Sequence, residues 1–491
     1  MSLFLGVDIG TSSSKGVLVD GDGRVLRSAT REHAVSRPYP GHVEMDGEIW
    51  WAEFVSLAEE LTAGRRIVAV GVSGMGPCVL LTDAAGTPLR PAILYGVDTR
   101  ATAQIETLTR RLGGAEAILA RCGSVLSSQA VGPKLAWLAE HEPETFGAAR
   151  RLFMPASWLA YKLTGAYALD FHSASQCTPL FDTHTLQWYS EWAGPIAPAL
   201  ELPPLAWPGD PAGTTREPIA GIPAGTPVIT GTIDAWTEAV SVDAQRPGDL
   251  MLMYGTTMFL IATVERPFAE VVTSPAMWGT VGAYPGTRNL AGGMATSGAL
   301  TAWLRELTGA DYPQLLAEAE ASGPGARGLL MLPYFAGERT PLMDPDARGI
   351  VAGLTLSHTR GDLYRAALEA TALGVRHNVE ALRAAGAPIR RVVAVGGGTR
   401  GGLWTRIVSD VTGLPQVVPA VTIGAAYGAA YLAARTAAPV SIADWNPVAE
   451  TVEPDPANRA GYDELYGLYR DLYPATRTIA HTLAARQRPR A

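Results

Sequence analysis

The sequence predicts an α/β protein built from two related halves, and three observations predict it. At 491 residues the chain is longer than one ordinary core organises. Short runs of apolar and β-branched residues alternate with longer runs at helical spacing. One arrangement, strand then small polar turn then strand, opens the chain at "GVDIGTSSSKGVLV" and returns at "LMYGTTMFLIA". The two stretches are too different to form a tandem repeat. They place a boundary between halves near residues 243–250.

The opening reads as a strand over 3–9, a polar turn over 10–14, a strand over 15–20, a "DGDG" turn and a third strand over 24–32. A helix covers 47–63, and "RIVAVGVSG" follows as a buried strand. "LTDAAGTPLRPAILY" reads as a hairpin around Gly86, and residues 100–170 carry apolar residues at i, i+3 and i+4. A Pro/Gly-rich passage over 203–227 leads to the strand "TPVITGTID" and the helix "AWTEAVSV". After the second strand–turn–strand come a Gly-rich turn and helix over 292–307, a long helix over 361–385 and the strand "IRRVVAVGGG". A helix over 403–413, a short strand and "IGAAYGAAYLAA" complete the pattern. That last run is too short to cross a bilayer, which takes about 20 residues. Its small side chains suit a helix packed closely on a neighbour.

Composition narrows the function classes. Hydrophobic residues are 47% of the chain, charged residues 18%, and the formal net charge is −8. Nucleic-acid binding needs a basic footprint, and the one basic cluster is the terminal "ARQRPRA", read as a frayed tail. Cys78, Cys122 and Cys177 lie far apart with no CxxC pair, and no leader peptide precedes the first strand. A reducing, cytoplasmic setting is the expectation, with neither membrane nor nucleic acid as partner.

Four motifs carry chemistry. In "DIGTSSSK" successive backbone N–H groups and hydroxyls can face one anion, with Lys15 adding charge and Asp8 able to hold a hydrated Mg²⁺. The bland alternative is a solvated hairpin. It is not a Walker A loop, since GxxxxGK[ST] is absent. "YGTTMF" repeats the Gly-Thr arrangement. "VAVGGGTRGG" formally contains GxGxxG, but no acid follows at the dinucleotide spacing, so a glycine-lined nucleotide pocket competes with a simple tight turn. Asp234, between a strand and a helix, is either a helix cap or a general base. "GVSGMGP" misses the GxSxG elbow because Met75 stands where a glycine is required, and no zinc spacing occurs among the eight histidines.

Taken in order, these motifs resemble the FGGY family of carbohydrate kinases, from about residue 3 to 475, and most of all its xylulokinase-like branch. "GIVAGLTLSHTRGDLYRAALEA" is similar to the family's C-terminal signature, with Gly349, Gly353, Leu354, Asp362, Leu363, Ala366 and Glu369 in register. The resemblance implies two ribonuclease H-like (actin-like ATPase) domains with a cleft between them. An N-terminal domain would span 1–245 and a nucleotide-side domain 246–478, with 479–491 a flexible tail. It implies ATP-dependent phosphorylation of a sugar hydroxyl, with ATP and Mg²⁺ required. The sugar would be a ketose such as xylulose or a related pentulose, with another polyol, aldonate or hexulose as alternatives. A non-catalytic sensor of the same fold is the alternative from another class. A small-molecule sugar is the expected partner, and a homodimer the assembly to test.

Residue by residue, the resemblance makes Asp234 catalytic and gives Asp8 and Asp234 to the metal. Gly10, Thr11, Ser12, Ser13 and Lys15, with Gly255, Thr256 and Thr257, become phosphate loops. Gly298, Gly397 and Gly398 become nucleotide positions. Met75, Gly76, Asp98, Arg100, Asp234 and Trp236 become sugar-lining positions. Two departures bear on the substrate: Gly76 stands where many xylulokinases carry His, and Ala235-Trp236 follows Asp234 where Asn and small residues are common.

Overall fold

The computed structural model describes residues 2–266 and 277–487. Two units emerge from it. The first gathers Met1–Gln245, Glu265–Asn289 and Ile423–Pro447; the second gathers Arg246–Val264, Leu290–Thr422 and Val448–Ala491. The expected division at 245/246 is therefore crossed twice. Residues 277–289 and 423–447 pack with the first unit although they follow the boundary in sequence.

In the first unit the principal strands are β1 (Leu3–Ile9), β2 (Ser13–Asp20), β3 (Val25–Glu32), β4 (Ala69–Gly74), β5 (Pro211–Thr214), β6 (Pro227–Ile229) and β7 (Thr232–Ile233). They form one sheet in the order β5-β6-β4-β1-β2-β3, with β7 also pairing β4. β1 runs antiparallel to β2 and parallel to β4, so Asp8 faces Lys15 on one side and Ser73 on the other. The opening turn is shorter than the expected 10–14, because Ser13 and Ser14 already belong to β2.

Helix α1 (Gly47–Thr62) lays Trp50, Phe54, Leu57 and Leu61 into this sheet's core. Each such side chain contributes about 1.5–3 kcal/mol by leaving water. Asp46 caps α1 by accepting from the N–H of Glu48. Helix α2 (Asp234–Ser241) follows β7 directly. The stretch around Gly86 is a narrower feature than expected. Leu80–Thr82 pairs with Arg151–Phe153, and single bridges join Thr82 to Pro88 and Val79 to Ile93. Pro88 and Pro91 have no N–H to extend a local ladder.

The second unit repeats the order. Its principal strands are β8 (Asp249–Tyr254), β9 (Met258–Val264), β10 (Arg288–Met294), β11 (Arg391–Val395), β12 (Gln416–Pro419) and β13 (Val448–Val452). They run β10-β9-β8-β11-β12-β13. β8 is antiparallel to β9 and parallel to β11, as β1 is to β2 and β4. Helices α3 (Gly298–Thr308), α4 (Arg360–Ala384) and α5 (Leu403–Thr412) belong to this unit.

Helix α6 (Ala425–Ala434) belongs to the first unit, and its alanines and glycine explain why. A Cβ on Gly6 would sit 2.0 Å from the carbonyl oxygen of Ala426, and one on Gly71 1.9 Å from that of Ala429. A Cβ on Gly428 would sit 2.1 Å from the carbonyl oxygen of Thr237. Glycines in β1 and β4, and in α6 facing α2, let backbone meet backbone.

The described part of the expected flexible tail, residues 479–487, is helical. Helix α7 (Arg459–Gln487) takes in these residues, Ala480 and Ala484 are buried, and His481 bonds Asp344 at 2.7 Å. Residues 488–491 lie outside the described residues. No helix among them is long and apolar enough to cross a membrane.

Candidate functional site

In the first unit, the turn joining β1 to β2 is closed by the Gly10 N–H donating to the Ser13 carbonyl at 3.1 Å. A Cβ on Gly10 would sit 2.8 Å from that same oxygen, so only glycine fits. Ser12 and Lys15 are exposed, Ser13 is half-buried, and the Thr11 hydroxyl meets that of Tyr95 at 2.8 Å. The turn thus offers hydroxyls and one ammonium to solvent, beside a carboxylate at the end of β1.

That carboxylate is Asp8, whose Oδ1 is buried without a hydrogen-bond partner. Burial holds the group well above the usual carboxylate range, and the nearby charges of Asp234 and Glu238 push the same way, against Ser73 and Lys15. Asp234 is raised too, chiefly by burial, with the Ala235 N–H opposing. It is the first residue of α2, and its Oδ1 accepts from that N–H at 2.7 Å. The N-cap position belongs to Ile233, and no side chain caps α2, so Asp234 does not serve as the cap that the sequence allowed. Glu238, one helical turn on, is pushed up to about 7 by burial, with Lys15 opposing. The sequence reading passed over Glu238, although its i, i+4 spacing from Asp234 puts both on one face of α2. Ser73 is the serine of the rejected nucleophile-elbow stretch. It is buried and donates to the Thr237 hydroxyl at 2.9 Å, which gives it a structural bond instead of a nucleophile's partner.

A buried carboxylate oxygen lacking a donor, with a second carboxylate near it, suits Mg²⁺, which keeps most of its waters and takes one or two protein carboxylates plus phosphate oxygens. Among the described residues no group of three or more His, Cys, Asp or Glu forms a closed metal cage.

The residues expected to line a sugar lie beneath the surface of this unit. Asp98 is 1% exposed; it accepts from the Val43 N–H at 2.6 Å and pairs with Arg100 at 2.8 Å. Arg100 also reaches Glu44 at 2.8 Å, and its side chain has no exposed surface. Met75 and Trp236 are each 1% exposed. Trp236 stacks on His172, with ring centroids 4.8 Å apart, and its Nε1 has no partner. The buried Val281 carbonyl and Gln176 hold that imidazole, and burial pushes it down to about 4. Gly76 is half-buried, and a Cβ there would sit 2.6 Å from Ile233. In this chain, any side chain at 76 collides with Ile233. Of the six, Gly76 and Asp234 are half-buried; Met75, Asp98, Trp236 and the Arg100 side chain are buried, and the charges of Asp98 and Arg100 are already matched.

In the second unit the corresponding turn is built from backbone and hydroxyls. Gly255 N–H donates to the Thr257 carbonyl at 3.2 Å. The turn is laced to the start of α3: Ser297 and Ala299 N–H groups donate to the Thr256 carbonyl, and Gly298 N–H to that of Gly255 at 2.9 Å. A Cβ on Gly298 would lie 2.6 Å from the Gly255 oxygen, so this glycine serves the close approach of α3 to the turn. Thr256 is exposed and Thr257 half-buried. Ser297, also missed in the sequence, has a buried hydroxyl without a partner.

The glycine run follows β11. Gly396 adopts φ +95°, and its Cβ position lies 2.6 Å from the Tyr254 carbonyl oxygen. Gly398 would place a Cβ 2.8 Å from Trp404 and 2.9 Å from Tyr254. Gly397 is exposed with nothing within 4 Å of its Cβ position. Bare backbone thus lies open at Gly397 between two glycines fixed by packing, the surface a planar ligand needs.

Comparison with known proteins matches residues 3–241 to the N-terminal domain, and 250–437 to the C-terminal domain, of the FGGY family of carbohydrate kinases. The chain is 29% identical to the xylulose kinase of Escherichia coli K12 over 487 residues, covering 96% of this chain and 98% of that one. It is 34% identical to the glycerol kinase of Gloeobacter violaceus over 483 residues, covering 93% and 91%. The crystal structure of a xylulose kinase from Rhodospirillum rubrum superposes with a TM-score of 0.90 at 33% identity, covering 98% of this chain and all of that one.

Proposed function

The chain belongs to the FGGY family of carbohydrate kinases, with the two-domain actin-like ATPase fold, and from that premise we propose that it transfers the γ-phosphoryl group of ATP to a hydroxyl of a small ketose, xylulose or a related pentulose. The observation that carries the reading is the pair of raised carboxylates, Asp8 and Asp234, beside a turn of exposed hydroxyls and Lys15.

Asp234 acts as the base. Its raised affinity for a proton suits it to accept one from a sugar hydroxyl and to hold that hydroxyl in line with the phosphoryl group. Asp8 and Asp234 would hold Mg²⁺, which supplies charge neutralisation on the transferring phosphoryl group. Gly10 to Ser13 with Lys15, and Gly255 to Thr257, bind phosphate oxygens, and Gly397 and Gly398 bind the nucleoside. The phosphoryl transition state is loose, so positioning and charge contribute more than base strength. Met75, Asp98, Arg100 and Trp236 shape the sugar's surroundings from below, and Gly76 leaves room above Ile233.

Identity to glycerol kinases of the same order as that to xylulose kinases supports a second reading, a polyol acceptor. ADP release measured with pentuloses, hexuloses, glycerol and aldonates separates the two. Turnover with xylulose or a related pentulose is expected. Turnover with glycerol alone replaces the first reading by the second. ATP binding without ADP release for any acceptor makes the protein a sensor.

A further inference from the structure

The opening turn of the first unit is fastened by two residues that no phosphate motif contains. His33, just after β3, turns its ring between two acceptors. Its Nε2 lies 3.1 Å from the Gly10 carbonyl oxygen and its Nδ1 2.9 Å from Glu53 Oε2. A carbonyl oxygen can only accept, so Nε2 carries the hydrogen it donates. Glu53, on the inner side of α1, also accepts from the Ser14 hydroxyl at the far end of the turn. The His33 backbone N–H donates to the Ser12 carbonyl at 3.1 Å. Both side chains are nearly buried, 6% and 14% exposed, where such bonds are shielded from water.

Gly10, Ser12 and Ser14 are thus all held from one side, by β3 and α1. With those carbonyls and that hydroxyl engaged, and the Gly10 N–H donating to the Ser13 carbonyl, the Ser12 and Ser13 side chains remain for an anion. We propose that His33 and Glu53 are positioning residues for phosphoryl transfer, holding the 10–14 turn in its anion-binding shape through the Gly10 carbonyl and the Ser14 hydroxyl. The inference rests on the kinase reading above.

The test divides the two ring contacts. His33→Gln keeps an amide N–H at the reach of Nε2, whereas His33→Asn keeps one at the reach of Nδ1 only. Hydrogen exchange read by mass spectrometry is expected to speed up about tenfold at the amides of 10–14 in His33→Asn, and to stay near wild type in His33→Gln. Glu53→Gln should give an intermediate increase. With the preferred sugar, His33→Asn should lower kcat/KM for ATP about tenfold with the sugar KM unchanged, and His33→Gln should recover most of it. Equal exchange in the two His33 variants, or an increase spread evenly over the whole sheet, would overturn the proposal. If His33→Asn does not fold, the contrast between His33→Gln and Glu53→Gln in the same peptide decides. A wild-type protein that phosphorylates no acceptor would sink the kinase reading, while the exchange data would still judge the turn.

Discussion

The two strand–turn–strand units share a topology and differ in chemistry. Around the first turn stand Asp8, Asp234, Glu238 and Lys15, with His33 and Glu53 behind. Around the second, the bonds are backbone to backbone: the turn's carbonyls accept from the start of α3, and Thr256 faces out. One scaffold therefore presents a charged, titrating site and a neutral one. On the kinase reading proposed above, charge stands where protons and phosphoryl groups would move, and a neutral glycine and threonine surface would hold a ligand whose charge is met elsewhere.

The comparison breaks most easily at Asp234. Asp234→Ala should cut kcat about 10³-fold or more, while calorimetric ATP affinity changes little. Turnover near wild type would remove the base from the first unit. On the neutral side, Gly398→Leu should weaken ATP binding about 10–100-fold, because its side chain must displace Trp404 or Tyr254, whereas Gly397→Ala should bind nearly as wild type. A loss confined to sugar affinity would misplace the nucleotide.

A third effect concerns stability. Folded carboxylates with raised proton affinity stabilise the protein fully below their unfolded pKa near 4, and that contribution is lost as pH rises toward 8. Asp8→Asn should therefore raise ligand-free stability by about 1–3 kcal/mol at pH 8 and by almost nothing at pH 4, read from denaturant midpoints. An equal gain at both pH values would mean that Asp8 carries no such penalty. The smallest effect belongs to Glu238→Gln. It should move the acid limb of kcat/KM to lower pH by about half a unit, since Glu238 raises the proton affinity of Asp8. An upward shift would contradict the placement of its charge.

The legible part of the sequence was local. Strand, turn and strand at both ends, and the glycines at 396–398, follow from residue pattern alone, because the turn geometry demands those residue types. Asp234 is ambiguous in sequence, since a cap and a base share the same signature; the fold removes the cap, because Ile233 holds that position and Asp234 is the first residue inside the helix. Glu238 could have been found by helical spacing. His33 and Glu53 could not: they meet the turn through pairing of β2 with β3 and packing of α1, which no short stretch encodes. The sugar-lining residues were named from family likeness as loop positions. Four of them are buried: Asp98 and Arg100 satisfy each other and Glu44 beneath the surface, Trp236 stacks on His172, and Met75 joins the apolar core.

Helix α6 sets an order of assembly. Gly6 and Gly71 leave two bare grooves on the first sheet that are filled by residues more than three hundred and fifty positions later. A ribosome adding roughly 5–20 residues per second leaves that face uncovered for about 20–80 s after the early strands emerge. A fragment ending at residue 245 should aggregate, and supplying residues 423–447 on a short linker should restore soluble protein, measurable by size-exclusion yield. The N-terminal unit is first in sequence and, by this contact, among the last to be finished.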